Sequence, residues 1–222
     1  MEQFTIHAND YLNQDIQGFY HTYYTGYRQP DNPDYINTLK NTFNSESQYN
    51  LNQAVQQLRN VLLTNLPQIL KLTKINPLTV CVVPRAKAEN KYSQNQLLFK
   101  RTVREVINGL NGFIDGTYYI TRRTDTKTTH LAHSPRAAQY AGDGDMPYIG
   151  ITNNTCVISN NVRGKDILLI DDIYTAGVNI DEDAIQALLD KGARNVYFYA
   201  VGKTNRGRRQ NFQIIDLDDL PF

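Results

Sequence analysis

The spacing of hydrophobic positions changes along this chain, and the change falls near Pro77. Upstream, Leu51, Ala54, Val55, Leu58 and Leu62 recur at i, i+3 and i+4, which predicts an amphipathic helix. Pro67 is expected to break or kink it, because proline lacks the N–H that a helix interior needs. Tyr20, Tyr23, Tyr24 and Tyr27 also have helical spacing, and Gly26, Pro30 and Pro33 stop any long helix there. Residues 1–76 therefore read as a mostly helical, Tyr-rich N-terminal extension or cap, and residues 77–222 as an α/β domain.

Downstream of Pro77, element types alternate. The β-branched run 78–83 ends at Pro84 and reads as a strand buried on both faces. Phe99, Val103, Val106, Ile107 and Leu110 mark one face of a helix that ends near Gly109 and Gly112. Further strands are expected at 117–120, 147–151, 155–159, 167–170 and 195–201. Between the last two, Ile180, Ala184, Ala187 and Leu188 line a helix, with Gly192 suited to its C′ position. Such alternation predicts βαβ crossovers and a doubly wound, mainly parallel sheet. Ligands of these sheets bind beyond the carboxyl ends of the strands, here after Val83, Ile120 and Ile170.

Composition narrows the classes. A formal net charge of +1 offers no global field for nucleic acid or an anionic membrane, so neither is an expected partner. Cys81 and Cys156, each inside an apolar run, read as buried thiols of a reducing compartment rather than a disulfide or zinc framework. With no signal-peptide pattern at the start and no apolar stretch of membrane-spanning length, a cytoplasmic location is expected.

The most informative segment is 167–179. Four aliphatic residues lead to Asp171 and Asp172, and a small polar turn with Gly177 then opens into a helix. Backbone N–H groups of such a turn, together with the helix N-terminus, suit a phosphate. Two carboxylates beside a phosphate cradle would repel it, unless they hold hydroxyls or a metal on a sugar that carries the phosphate.

This segment resembles the signature of type I phosphoribosyltransferases: four hydrophobic residues, two acids, and a turn of the Thr-Thr-Gly-x-Thr kind. The segment from Val83-Pro84-Arg85 through Gln96, together with Arg122, Arg123, His130 and Arg136, is similar to the ComF-like branch. The likeness covers roughly residues 78–203 and is strongest at 166–193. It implies the type I fold, Mg²⁺ as cofactor, phosphoribosyl pyrophosphate as ligand, and a nitrogenous base or amine as acceptor. Asp171 and Asp172 would take the ribose and, through its hydroxyls or water, the metal. Thr175, Ala176, Gly177, Val178 and Asn179 would hold the 5′-phosphate. Arg85, Lys87 and Lys91 would serve pyrophosphate, on a loop that in this family often carries a strained or cis peptide. Arg123, Lys127 and Arg136 would belong to a flap. Folds of this kind often dimerise.

The chain departs from the pattern in three ways. Ala176 and Asn179 replace hydroxyl residues, and no cysteine precedes Cys81, so the zinc module common in the ComF-like branch is not expected here. Losing a hydrogen bond to a charged group costs about 1.5–3 kcal/mol, which weakens phosphate binding without abolishing it. A transferase, a sensor of phosphoribosyl pyrophosphate or nucleotides with a regulatory role, and a phosphoribosyl hydrolase all remain open. Gly202-Lys203-Thr204 lacks the first glycine of a Walker loop, because position 197 is tyrosine.

Overall fold

The computed structural model describes residues 1–126, 150–152 and 154–205. Its strands are β1 (Glu2–Ile6), β2 (Ile16–Tyr24), β3 (Leu78–Val82), β4 (Phe113–Asp115), β5 (Ile120–Arg122), β6 (Cys156–Ile158), β7 (Asp166–Tyr174) and β8 (Asn195–Thr204). Its helices are α1 (Tyr35–Lys40), α2 (Gln48–Thr73), α3 (Leu98–Asn108) and α4 (Ile180–Asp190). Six strands form one sheet in the order β1-β2-β8-β7-β3-β4, while β5 and β6 form a separate antiparallel ribbon. Within the large sheet only β1 runs antiparallel to its neighbour. No helix among the described residues is long and apolar enough to cross a membrane.

The continuous apolar runs have a simple cause. Successive side chains of a strand face opposite ways, so a strand covered on both sides must be apolar at every position. Ile167 and Leu169 of β7 pack with Ala184, Ile185 and Leu188 of α4 and with Ile120, Cys156 and Ile158 of the ribbon. Leu168 and Ile170 pack on the other side with Leu58, Leu62 and Leu66 of α2 and with Val103 and Val106 of α3. Helices therefore cover both faces of the sheet. Cys81 and Cys156 are free and buried, and burial pushes the Cys81 thiol up to about 12.

Several expectations need correction. The first 76 residues are not a cap outside the sheet, because β2 continues it by pairing with β8 from Gly18↔Phe198 to Tyr24↔Thr204. Tyr20, Tyr23 and Tyr24 thus lie on a strand, where aromatic residues fit a pleated, half-buried surface. A Cβ on Gly18 would stand 2.6 Å from the ring of Phe4, its partner on β1, so glycine there leaves room for that ring. Helix α2 runs through Pro67; Leu62, Leu66 and Ile69 are fully buried around that point, and their packing holds the helix despite the missing N–H. Of the strand expected at 117–120 only Ile120 is in one; residues 117–119 form the turn between β4 and β5, where Thr117 donates to Asp115 Oδ1 from its N–H at 2.9 Å and its hydroxyl at 2.7 Å. Of 147–151, the described residues Gly150 and Ile151 are outside any strand.

Phe19 of β2 is fully buried against α1, α2 and β7. Phe19→Ala is expected to cost about 3–5 kcal/mol, the usual range for truncating a core phenylalanine. Urea unfolding followed by far-UV circular dichroism should lose this in one transition of the whole chain. A separate early transition confined to the N-terminal helices would mean that residues 1–76 form an independent unit.

Candidate functional site

The site forms where neighbouring strands end at different levels. β3 stops at Val82, opposite Ile170, and Val83 N–H makes the last bond to Ile170 O at 3.0 Å. β7 continues for four more residues, supported on its other side by β8 as far as Tyr174↔Lys203. The two acids expected just past a strand end are therefore inside the strand, with one flank of the backbone uncovered. A cavity of about 590 Å³ opens beside them, lined also by Thr175, Val178, Asp181 and the segment after β2. A second, of about 170 Å³, lies toward the loop after β3 and is lined by Arg85, Tyr92 and Lys100. Asp171, Asp172, Lys40 and Ile180 belong to the walls of both.

Lys40, in the last turn of α1, had no signal in the sequence. Its ammonium lies 3.1 Å from Asp172 Oδ1, with both side chains partly buried. Burial works against the Lys40 charge, but Asp172 and then Asp171 outweigh it and raise its pKa above the ordinary lysine value. Asp171 is pushed up to about 7, first by burial and then by the charge of Asp172; Lys40 and a hydrogen bond shared with the Asp181 carboxyl oppose the rise. Asp181, in the first turn of α4, is raised by burial and by Asp171, with which it shares that bond. The next two residues extend the acidic cluster. Glu182 accepts from the Tyr174 hydroxyl at 3.0 Å, and burial lifts Asp183 to about 6.

The turn after β7 is compact. Val178 N–H donates to Thr175 O at 3.1 Å, Gly177 has φ +77° and Asn179 φ +65°. Among the described residues, the N–H groups of Ala176, Gly177 and Asn179 donate no backbone hydrogen bond. Thr175 Oγ1 sits 2.6 Å from Thr204 Oγ1, tying the turn to the end of β8. Gly202, Lys203 and Thr204 accordingly belong to a strand and not to a phosphate loop.

The basic residues expected to serve pyrophosphate are distributed differently. Arg85 borders the smaller cavity, but its Nη1 donates to Lys40 O at 2.8 Å and Gln96 O at 2.5 Å, and its guanidinium stacks on Tyr92 at 4.3 Å. Arg85 is thus a fastener that holds the end of α1 over the site. Lys91 pairs with Asp125, and neither Lys91 nor Lys87 lines either cavity. Lys100, which no motif singled out, does line the smaller one; it pairs with Glu89 and lies 4.1 Å above the Tyr118 ring. The one cis peptide among the described residues is Asn76–Pro77, ahead of β3 rather than in the 85–91 loop. Arg123 is exposed and donates to Asn154 O at 3.3 Å, away from both cavities. Buried Arg122 reaches Arg85 O and Gly150 O, each at 3.1 Å, and binds the ribbon to the loop. Lys127, His130 and Arg136 lie outside the described residues.

A carboxyl with a folded pKa above its unfolded one keeps its proton in the folded state, so its burial costs more as pH rises between the two values. For Asp171 that window runs from the ordinary 3.8 to about 7. Asp181→Asn removes one member of the crowded pair and leaves an amide that can donate to Asp171. The variant should gain melting temperature over the parent at about pH 7.5, and the gain should shrink toward about pH 5, well below the raised value of Asp171. An equal difference at both values would contradict the proton shared by Asp171 and Asp181.

No protein-family model matches this chain, and no curated protein is found that is similar to it.

Proposed function

We propose that the chain binds phosphoribosyl pyrophosphate with Mg²⁺ and transfers its phosphoribosyl group to a nitrogenous base or amine, on a fold of the type I phosphoribosyltransferase kind. The observation that carries this reading is the meeting of two cavities at Asp171 and Asp172, one beside the turn 175–179 and the other beside the loop after β3. A ligand with a phosphate at one end, a pyrophosphate at the other and a dihydroxylated sugar between them has that order of groups.

The chemistry assigns roles to this chain's own groups. Turn amides at Ala176, Gly177 and Asn179 would receive the 5′-phosphate, helped by the N-terminus of α4. Asp171 and Asp172 would accept from the ribose hydroxyls. Lys40, now balancing Asp172, has a wall position in both cavities and would supply positive charge to either phosphate group. Lys100 would do the same on the pyrophosphate side. In the transfer, a bond forms from the acceptor nitrogen to the anomeric carbon while the bond from that carbon to pyrophosphate oxygen breaks. The electron pair leaves with pyrophosphate, and the proton of the acceptor N–H passes to solvent. Positioning and fixed charge supply most of the rate in such a site.

The donor set suits Mg²⁺ in its substrate-bridged form. That ion is usually held by one or two carboxylates plus substrate phosphates rather than by an all-protein cage. Asp171 and Asp172 would hold it directly or through ribose hydroxyls or water, and among the described residues no cage of three His, Cys, Asp or Glu exists. Bound there, the ion would neutralise charge growing on pyrophosphate.

One set of contacts favours a second reading, a sensor that binds the same ligand without turnover. Asp172 is engaged by Lys40, and Arg85 is spent on two carbonyl groups. Calorimetric titration with phosphoribosyl pyrophosphate should show binding strengthened by Mg²⁺, abolished in the double variant Asp171→Asn, Asp172→Asn and weakened at least about tenfold in Lys40→Ala. Binding that survives the double variant unchanged would remove the site assignment. Binding without pyrophosphate release in the presence of any base or amine would select the sensor.

A further inference from the structure

Lys40 stands on α1, outside the residues 78–203 that carry the family likeness, so no motif of that family gives it a role. Its place is nevertheless built. Arg85 Nη1 donates to Lys40 O at 2.8 Å and to Gln96 O at 2.5 Å. Gln96 Nε2 donates to Asn41 O at 3.1 Å and to Thr42 O at 3.3 Å. These bonds pin the backbone at the end of α1 to the loop after β3. The Lys40 side chain is a flexible four-carbon stem with a compact charge at its tip, so it can swing while that backbone stays fixed.

The ammonium has two kinds of destination. It now lies 3.1 Å from Asp172 Oδ1, and the side chains of Lys40 and Asp172 keep 23% and 21% of their surface exposed, which leaves both open to an incoming ion. Lys40 also belongs to the walls of both cavities, where a phosphate group of either end of a ligand would lie. In the smaller cavity Lys100 is likewise paired, with Glu89. The resting site therefore matches its own charges. An anion entering alone would draw Lys40 from Asp172 and leave Asp171 and Asp172 without their cation. A divalent cation entering alone would meet the ammonium at the carboxylate it needs, and like charges that close repel. Entering together, the two ions relieve each other.

We infer that Lys40 makes the binding of a divalent cation and of a polyphosphate anion mutually dependent, by leaving Asp172 for the anion as the cation takes its place. By linkage, each ion then raises the affinity of the other by the same factor. Two carboxylates and the anion suffice for a hard cation such as Mg²⁺, which keeps several of its waters. The inference rests on the proposed function for the choice of ions, and it deepens that reading by assigning the control of the site to a residue of the N-terminal segment.

The test titrates the full chain with the ions themselves. Mn²⁺ alone is followed by electron paramagnetic resonance, and inorganic pyrophosphate, without and with Mg²⁺, by calorimetry. At about pH 8, above the value of about 7 to which Asp171 is raised, protons compete less for the acids. The parent should bind pyrophosphate at least about tenfold tighter with Mg²⁺ than without it. Lys40→Met keeps most of the stem and removes the charge. It should bind Mn²⁺ alone at least about tenfold tighter than the parent, and pyrophosphate alone at least about tenfold weaker. Lys40→Arg, which keeps the charge, should return Mn²⁺ affinity to within about threefold of the parent. Shifts of opposite sign are the signature, because a merely structural role would weaken both ions together. Mn²⁺ affinity that is unchanged or lower in Lys40→Met would overturn the inference, and Lys40→Gln gives the same reading if the methionine variant does not fold. Equal pyrophosphate affinity with and without Mg²⁺ in the parent would overturn it without any variant. Phosphoribosyl pyrophosphate binding with unaltered Mn²⁺ affinity in Lys40→Met would remove the coupling alone. Opposite shifts without phosphoribosyl pyrophosphate binding would remove the proposed function and leave the coupling standing.

Discussion

Two carboxylates side by side on a central strand, partly shielded from water, need a positive charge close by. In this protein Lys40 supplies it, 3.1 Å from Asp172 and near enough to Asp171 to oppose the rise of its pKa. Most of the surrounding architecture can be understood as holding that ammonium in place. α1 ends over the strand, Arg85 and Gln96 bind the carbonyl groups around its end, and Arg122 in turn binds Arg85 to the ribbon. Removing the charge would leave Asp171, Asp172 and Asp181 facing one another with only proton uptake to relieve them.

The same chain of fasteners explains the division of the open space. β3 ends before β7 does, so the acids have one uncovered flank, and α1 with the segment after it closes over that flank as an outer wall. The loop after β3 encloses a smaller space on the other side. A sheet whose strands all ended at one level would place the acids at a flat rim. Unequal strand ends place them between two chambers, and a ligand spanning both would displace the present ion pair rather than require new side chains.

Local chemistry was legible where local sequence decides structure. Strands β3 and β7, helices α3 and α4 and the turn 175–179 follow from apolar runs, helical spacing and a glycine, and each forms close to where it was expected. The paired acids were found because they stand in one short segment with the turn and helix that give them meaning. Boundaries were less legible: β7 runs on through Asp171 and Asp172 to Tyr174, since pairing with β8 outweighs the polar character of those residues. Spacing alone also misread Tyr20, Tyr23 and Tyr24, whose run fits a helix by period but a strand by residue type.

Residue pattern thus settled the alternating α/β character and the segment carrying the acids, because periodicity and turn chemistry act over a few residues. Tertiary structure decided the rest. Whether residues 1–76 stand apart or complete the sheet depended on the edge of β8, more than 170 residues from β2. Lys40 gained its place because α1, packed on α2, ends beside Asp172, and Arg85 lost the role of a free cation because the carbonyl groups of Lys40 and Gln96 claimed it. Contacts of that kind join side chains distant along the chain, and no local periodicity records them.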